Sequence, residues 1–296
     1  MLTPVDSPYR VPFDGTFHLE KALAHAPRDT PGQKYLKKEL KLAVKDLRQH
    51  QEMLYAQDEY AVLLVFQAMD AAGKDGTIRA ILSGVNPAGC QVTSFKQPSA
   101  NELDHDYLWR TALALPERGR IGVFNRSYYE EVLVVRVHPE YLGAQKLPHQ
   151  PILPELFHQR FESIRDHERH LARNGTVVLK FWLNVSYEEQ RERFLERLTR
   201  PDKNWKFSST DVRERGYWNE YMQAYEEALA ATSRPWAPWY AIPADDKHYM
   251  RCTVIDIVNR TMKSMGLSYP EVSAGERERF DEMQRLLEAE ASSPKP

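Results

Sequence analysis

Apolar residues along this chain follow two rhythms. Between 32 and 57 they recur as Leu36, Leu40, Val44, Leu47 and Leu54 within a charged stretch, a spacing that predicts one long amphipathic helix. The basic run 34–41 then reads as the solvated face of that helix. At 60–66 the rhythm changes: YAVLLVF is short and continuous, as expected of a strand covered on both faces. Comparable runs stand at 90–95, 121–124, 177–183 and 239–242. Helical stretches separate or follow them at 77–83, 101–114, 130–137, 153–173, 188–198, 212–231, 246–265 and 271–291. The alternation predicts an α/β fold, a parallel five-stranded sheet flanked by helices. Residues 1–30 read as an irregular arm, 31–270 as the main domain, and 271–296 as a C-terminal helix ending in a frayed SSPKP tail.

Composition narrows the partners. Lysine and arginine number 40 against 42 aspartates and glutamates, a formal net charge of −2, so the broad basic field of a nucleic-acid-binding protein is missing. A polyanion would have to be held by local clusters. Cys90 and Cys252 read as buried free thiols in a reducing compartment. No apolar run approaches a membrane span of roughly 20 residues, and no secretory h-region is visible, so a cytoplasmic protein is expected. The ten histidines are scattered; His167 and His170 share a helical face without a third ligand nearby. Trp236 and Trp239 read as core anchors of the last strand.

The chemistry begins directly after the first strand, at 67–77, QAMDAAGKDGT. The familiar phosphate loop is GxxxxGK[ST] between a strand and a helix. Here Ala68 replaces the first glycine and Asp75 the hydroxyl residue. Gly73 permits a left-handed turn, so the backbone amides of Ala71, Ala72, Gly73, Lys74, Asp75, Gly76 and Thr77 can form an anion nest at a helix N-terminus. Lys74 supplies a point charge for a phosphate. Asp70 and Asp75 beside such a nest make sense with Mg²⁺ (Mn²⁺ being the alternative) between them and the phosphates; a plain turn with Asp75 as N-cap is the competing reading.

Two further segments belong with the loop. Asn125-Arg126-Ser127 ends a candidate central strand, where a Walker B carboxylate would stand, and Arg126 is suited to stabilise a transferring phosphoryl group. Arg193, Arg197 and Arg200 share one helical face, followed past Pro201 by Lys203, Trp205 and Lys206. A helix so placed, over about 186–215, suits a lid whose cations close on phosphates, with a solvated charged face as the alternative. Lys96, Arg110 and Arg136 are further basic candidates.

Taken together, FQAMDAAGKDGTI, SGVNPAG, FNRSYYEEVLVVRV, EQRERFLERLTRPDKNWKFS and APWYAIPADDK resemble the second polyphosphate kinase family, over about 35–267. The resemblance implies a P-loop kinase-like core with a helical lid and Mg²⁺-dependent, reversible phosphoryl transfer between inorganic polyphosphate and AMP, ADP or ATP, with GMP and GDP as further acceptors. It implies catalytic roles for Asp70, Lys74, Arg126, Arg193 and Arg197. For a chain charged along its whole length, a near-neutral protein needs a local basic channel, and Arg193, Arg197, Arg200, Lys203 and Lys206 are the nearest supply of polyphosphate contacts. Asn125 and Glu130 depart from the Asp and Asn of many members; the pair is similar to the subgroup that phosphorylates both AMP and ADP. A homo-oligomer, dimer or tetramer, is also implied. Competing readings are an ATP-dependent nucleoside monophosphate kinase of the thymidylate kinase type and a non-catalytic P-loop module.

Overall fold

The computed structural model describes residues 2–149 and 151–291; the SSPKP tail lies outside them. An arm with one turn of 3-10 helix at Leu19–Lys21 leads into α1 (Gln33–Gln57). Then come β1 (Ala61–Gln67), α2 (Lys74–Ile81), β2 (Cys90–Ser94), α3 (Ala100–Leu103), α4 (Trp109–Ala112) and β3 (Ile121–Asn125). The second half holds α5 (Val134–Val137), α6 (Leu153–Arg173), β4 (Thr176–Asn184), α7 (Tyr187–Thr199), α8 (Ser209–Glu214) and α9 (Trp218–Thr232). It closes with β5 (Trp239–Pro243), α10 (Lys247–Ser264) and α11 (Ala274–Ala291).

The five strands form one parallel sheet in the order β2-β3-β1-β4-β5. Every residue of β1 is buried, as its unbroken apolar run requires of a central strand. Edge strand β2 leaves Gln91, Val92 and Ser94 exposed. The other edge, β5, is partly closed by the arm: Val11 N–H donates to Trp239 O at 2.9 Å and Ala241 N–H to Tyr9 O at 2.8 Å. Because β3 and β4 flank β1 on opposite sides, the crossovers diverge at the carboxyl end of β1. That is the switch point where ligands settle in open parallel sheets.

Several helices differ from their sequence expectation. The segment 101–114 is two short helices, because the Asp106 carboxylate accepts Leu108 N–H and starts a new turn. The segment 130–137 begins as 3-10 helix at Tyr128–Val132, set by Ser127 accepting Tyr129 N–H, before α5. A 3-10 turn at Arg215–Tyr217, around Gly216, divides 212–231. Trp239 is fully buried and donates to Thr232 Oγ1, as an anchor should, whereas Trp236 is half-buried. Cys90 and Cys252 are free and half-buried rather than buried, and burial pushes both thiols up to about 11.

Between β4 and α6 sits a feature that no periodicity announces. Lys180 on β4 and Glu168 on α6, both without exposure, pair at 2.7 Å. Lys180 spends its remaining protons on Tyr129 Oη and Thr232 O, while Tyr128 and Tyr129 donate to Glu168 Oε1. Every charge in this network is satisfied, so removing one partner strands the other in an apolar interior. Lys180→Met is expected to cost about 3–5 kcal/mol in urea unfolding, and Lys180→Met with Glu168→Gln to recover most of it.

Candidate active site

β1 runs out at Gln67, and the next six residues turn back across the top of the sheet to α2. Two of them sit in the left-handed region: Gly73 at φ +110° and Ala71 at φ +62°. For glycine this is free; for Ala71 it costs about 1–2 kcal/mol. α2 starts at Lys74, three residues earlier than the sequence suggests, and no side chain caps it. Asp75 is therefore in the first turn rather than at the N-cap, where its charge also suits the helix dipole.

The loop is held in shape from α7. Gln190 donates to Asp70 O at 3.0 Å, and Arg193 Nη1 donates to Ala71 O at 3.1 Å and Ala72 O at 2.6 Å. Three successive carbonyls thus turn toward α7, which braces the strained Ala71 conformation. Arg193 also reaches Ala244 O and Asp245 O through Nη2 and Glu189 through Nε. All five of its N–H groups are taken by protein acceptors, and the side chain is 5% exposed. Its place is a brace between the loop and the β5–α10 turn, although it also touches the cleft.

Lys74 is buried and donates to Ala68 O at 2.7 Å. Burial, and then the neighbouring Arg126, bring its pKa down to about 8. The unfolded chain keeps that proton up to the ordinary lysine value near 10.5, so this group makes folding more favourable as pH rises from about 8 to 10.5. In the free enzyme the same ionisation removes a positive charge from the cleft. Accordingly kcat/KM for the phosphate donor should fall above pH about 8, and Lys74→Arg, which cannot lose its proton, should not show that limb.

Arg126, at φ +64°, stands between Asp70 (2.7 Å) and Glu130 (3.0 Å). Glu130 foremost, then Asp70, hold its charge against the cost of burial. Asn125 donates its side-chain amide to Asp75 Oδ1 at 2.6 Å, tying the end of β3 to α2. Asp70 and Asp75 each keep a second oxygen with no hydrogen bond among the described residues. Such hard oxygen donors fit Mg²⁺ or Mn²⁺ if phosphate oxygens and water complete the shell. No group of three or more His, Cys, Asp or Glu suited to a metal occurs among the described residues, so the protein alone would hold an ion weakly.

These groups open on a cleft of about 730 Å³. Asp70 through Gly76, Asn125, Arg126, Arg193, Arg197, Lys203 and Lys206 all line it, and so does Lys96. Thr77, Glu130 and Arg200 do not: the Thr77 hydroxyl donates back to Gly73 O, Glu130 is behind Arg126, and Arg200 pairs with Asp202 and Glu196. Arg197 binds Asp211 at 3.1 Å and Lys206 O at 3.2 Å, holding α7 to α8. Arg110 donates to Lys96 O and Arg136 pairs with Glu227, away from the cleft. Arg79, Lys247 and Arg251 were not singled out by the sequence, yet they line it too. Lys247 and Arg251 lie four apart at the start of α10, a spacing that was there to be read. In all, ten basic side chains face three carboxylates, a strongly positive wall in a protein of net charge −2.

Similar proteins agree with this geometry. The family model described as "Polyphosphate kinase 2 (PPK2)" matches residues 31–269. An ADP-polyphosphate phosphotransferase of Rhodopseudomonas palustris is 55% identical over 84% of this chain and 86% of its own. An AMP/ADP-polyphosphate phosphotransferase of Meiothermus ruber is 43% identical, over 89% of this chain and 95% of its own. The crystal structure of polyphosphate kinase 2 from Arthrobacter aurescens TC1 superposes with a TM-score of 0.84 at 34% identity, covering 95% of this chain and all of that one. With its parallel sheet, its braced loop after β1 and its cationic cleft, this chain belongs to the polyphosphate kinase 2 family.

Proposed function

We propose that this protein transfers phosphoryl groups reversibly between inorganic polyphosphate and adenine nucleotides, making ADP from AMP and ATP from ADP. The observation that carries this reading is the excess of ten basic over three acidic side chains around the phosphate loop. A single nucleotide phosphate needs far fewer, whereas a polyphosphate bears charge along its whole length. Relatives named for ADP and for AMP/ADP support both acceptors, and the Asn125/Glu130 pair is consistent with the second. Among the described residues no helix is long and apolar enough to cross a membrane, which suits the cytoplasmic setting we infer. We also infer a dimer or tetramer, for which exposed Phe280, Met283 and Leu287 on α11 offer an apolar face.

The protein's part is positional and electrostatic. The loop amides and Lys74 hold the phosphoryl group that moves. Arg126, fixed by Asp70 and Glu130, meets the charge that accumulates as it passes between the two oxygens. The acceptor is a nucleotide phosphate, already ionised, so no general base is required. Mg²⁺ bound by Asp70 and Asp75 with phosphate oxygens would neutralise charge on the transferring group. Arg197, Lys203 and Lys206 are positioned to cover the donor and exclude water as α7 and α8 close.

The direct test supplies polyphosphate and Mg²⁺ with AMP or ADP and follows ADP and ATP by chromatography. Product from both acceptors, abolished by EDTA and restored by Mg²⁺, is expected. Product from neither would remove the proposal; product from ADP alone would remove the AMP step and the role given to the Asn125/Glu130 pair.

A further inference from the structure

The walls of the cleft are not uniform. At one end, by β2 and β3, stand Ser94, Phe95, Gln97 and Asn125, a mixture of ring, amide and hydroxyl, with Lys96 as the cation among them. At the other, where α10 packs against α2, the walls are basic: Arg79 on α2 and Lys247 and Arg251 on α10. A nucleotide has a base to recognise as well as its phosphates, so the mixed end suits it. A polyphosphate chain offers only charge, and this end meets it with three cations, Glu196 being the carboxylate of the lining that faces Lys247.

Arg251 is the clearest member of that end. It is half-buried, and its Nε is buried with no hydrogen-bond partner among the described residues. No carboxylate pairs with it among the described residues, and burial together with Arg79 and Arg193 works against its charge. Its guanidinium rests on the loop side of α2: a Cβ built on Gly76 would stand 3.2 Å from Arg251 Nη2. Arg79 and Lys247 likewise make no ion pair among the described residues. Unpaired cations crowded in this way are costly unless an anion joins them. None of the three is needed to shape the loop, which Gln190 and Arg193 already hold.

We propose that Arg251, with Arg79 and Lys247, binds the phosphates of the donor that lie beyond the one being transferred, so that the chain leaves the loop between α2 and α10. This rests on the polyphosphate reading above and adds a direction and a length preference to it. A donor too short to reach α10 forgoes these contacts; a long one gains them. The three cations are therefore specificity determinants for donor length.

Steady-state kinetics of Arg251→Ala and Arg79→Ala with long-chain polyphosphate and with tripolyphosphate, at saturating ADP, test this. The expected result is a loss of about tenfold in kcat/KM for the long chain, a clearly smaller loss for tripolyphosphate, and an unchanged KM for ADP. Arg251→Lys should restore part of the long-chain preference, and thermal melting matching the parent protein should show that the fold is intact. Equal losses on both donors, no loss on either, or a raised KM for ADP would overturn the assignment. A parent enzyme that used ATP and ignored polyphosphate would instead overturn the underlying functional reading, whatever the variants did.

Discussion

Lys74→Ala should lower kcat by about 10²–10³-fold while leaving the fold as stable as before or more so. The loss of rate follows from the removal of the one side chain that carries a positive charge into the loop itself. The stability result is the more diagnostic half. Lys74 is buried, its charge is disfavoured by burial and by Arg126, and only Ala68 O and, more weakly, Met69 O receive its protons. In the absence of substrate such a lysine is a liability that the site tolerates for function. Initial rates and thermal melting on the same preparation check both halves. An active Lys74→Ala enzyme would mean that the loop is not where phosphate is held.

Arg193→Ala should fail in the opposite manner, losing stability and activity together. Five hydrogen bonds disappear at once, and four backbone carbonyls in two separate turns lose a donor. A cost of about 3–5 kcal/mol is expected, a fall in Tm on the order of 10 °C. Ala71 then loses its brace, and the loop is free to relax from its left-handed turn. At temperatures where the variant is still folded, kcat should remain at least about 10²-fold down, because a preorganised loop has been replaced by a mobile one. Arg193→Lys should not rescue it, since three donors cannot span five acceptors in two directions. A variant with normal melting and a raised KM for polyphosphate alone would show that Arg193 serves the substrate rather than the loop.

These two residues also mark how far sequence carries. Lys74 was legible because a strand, small residues and a helix surround it in a fixed order, and that order is local. The sheet was legible for the same reason: β1 and β4 are covered on both faces, and continuous apolar runs say so. Arg193 was legible as a member of a basic helical face, but spacing does not say what a face meets. Its partners at 71, 72, 244 and 245 come together only when β1, β4 and β5 are neighbours. The start of α2 was obscured because Gly73 replaces the usual Ser, Thr, Asp or Asn cap, so no cap signal stands at the true boundary. Lys180 and Glu168 lay in runs read for their apolar neighbours; a buried pair has no periodicity of its own. Arg79, Lys247 and Arg251 come from helices at opposite ends of the chain, and only packing shows that they share a wall.

The central claim is that the donor is a polyanionic phosphate chain rather than a nucleotide. The most direct measurement is the ratio of AMP phosphorylation rates with polyphosphate and with ATP as donor, on one purified preparation at equal Mg²⁺. The cleft's excess of cations predicts a ratio well above one; AMP phosphorylated by ATP but not by polyphosphate would contradict the account.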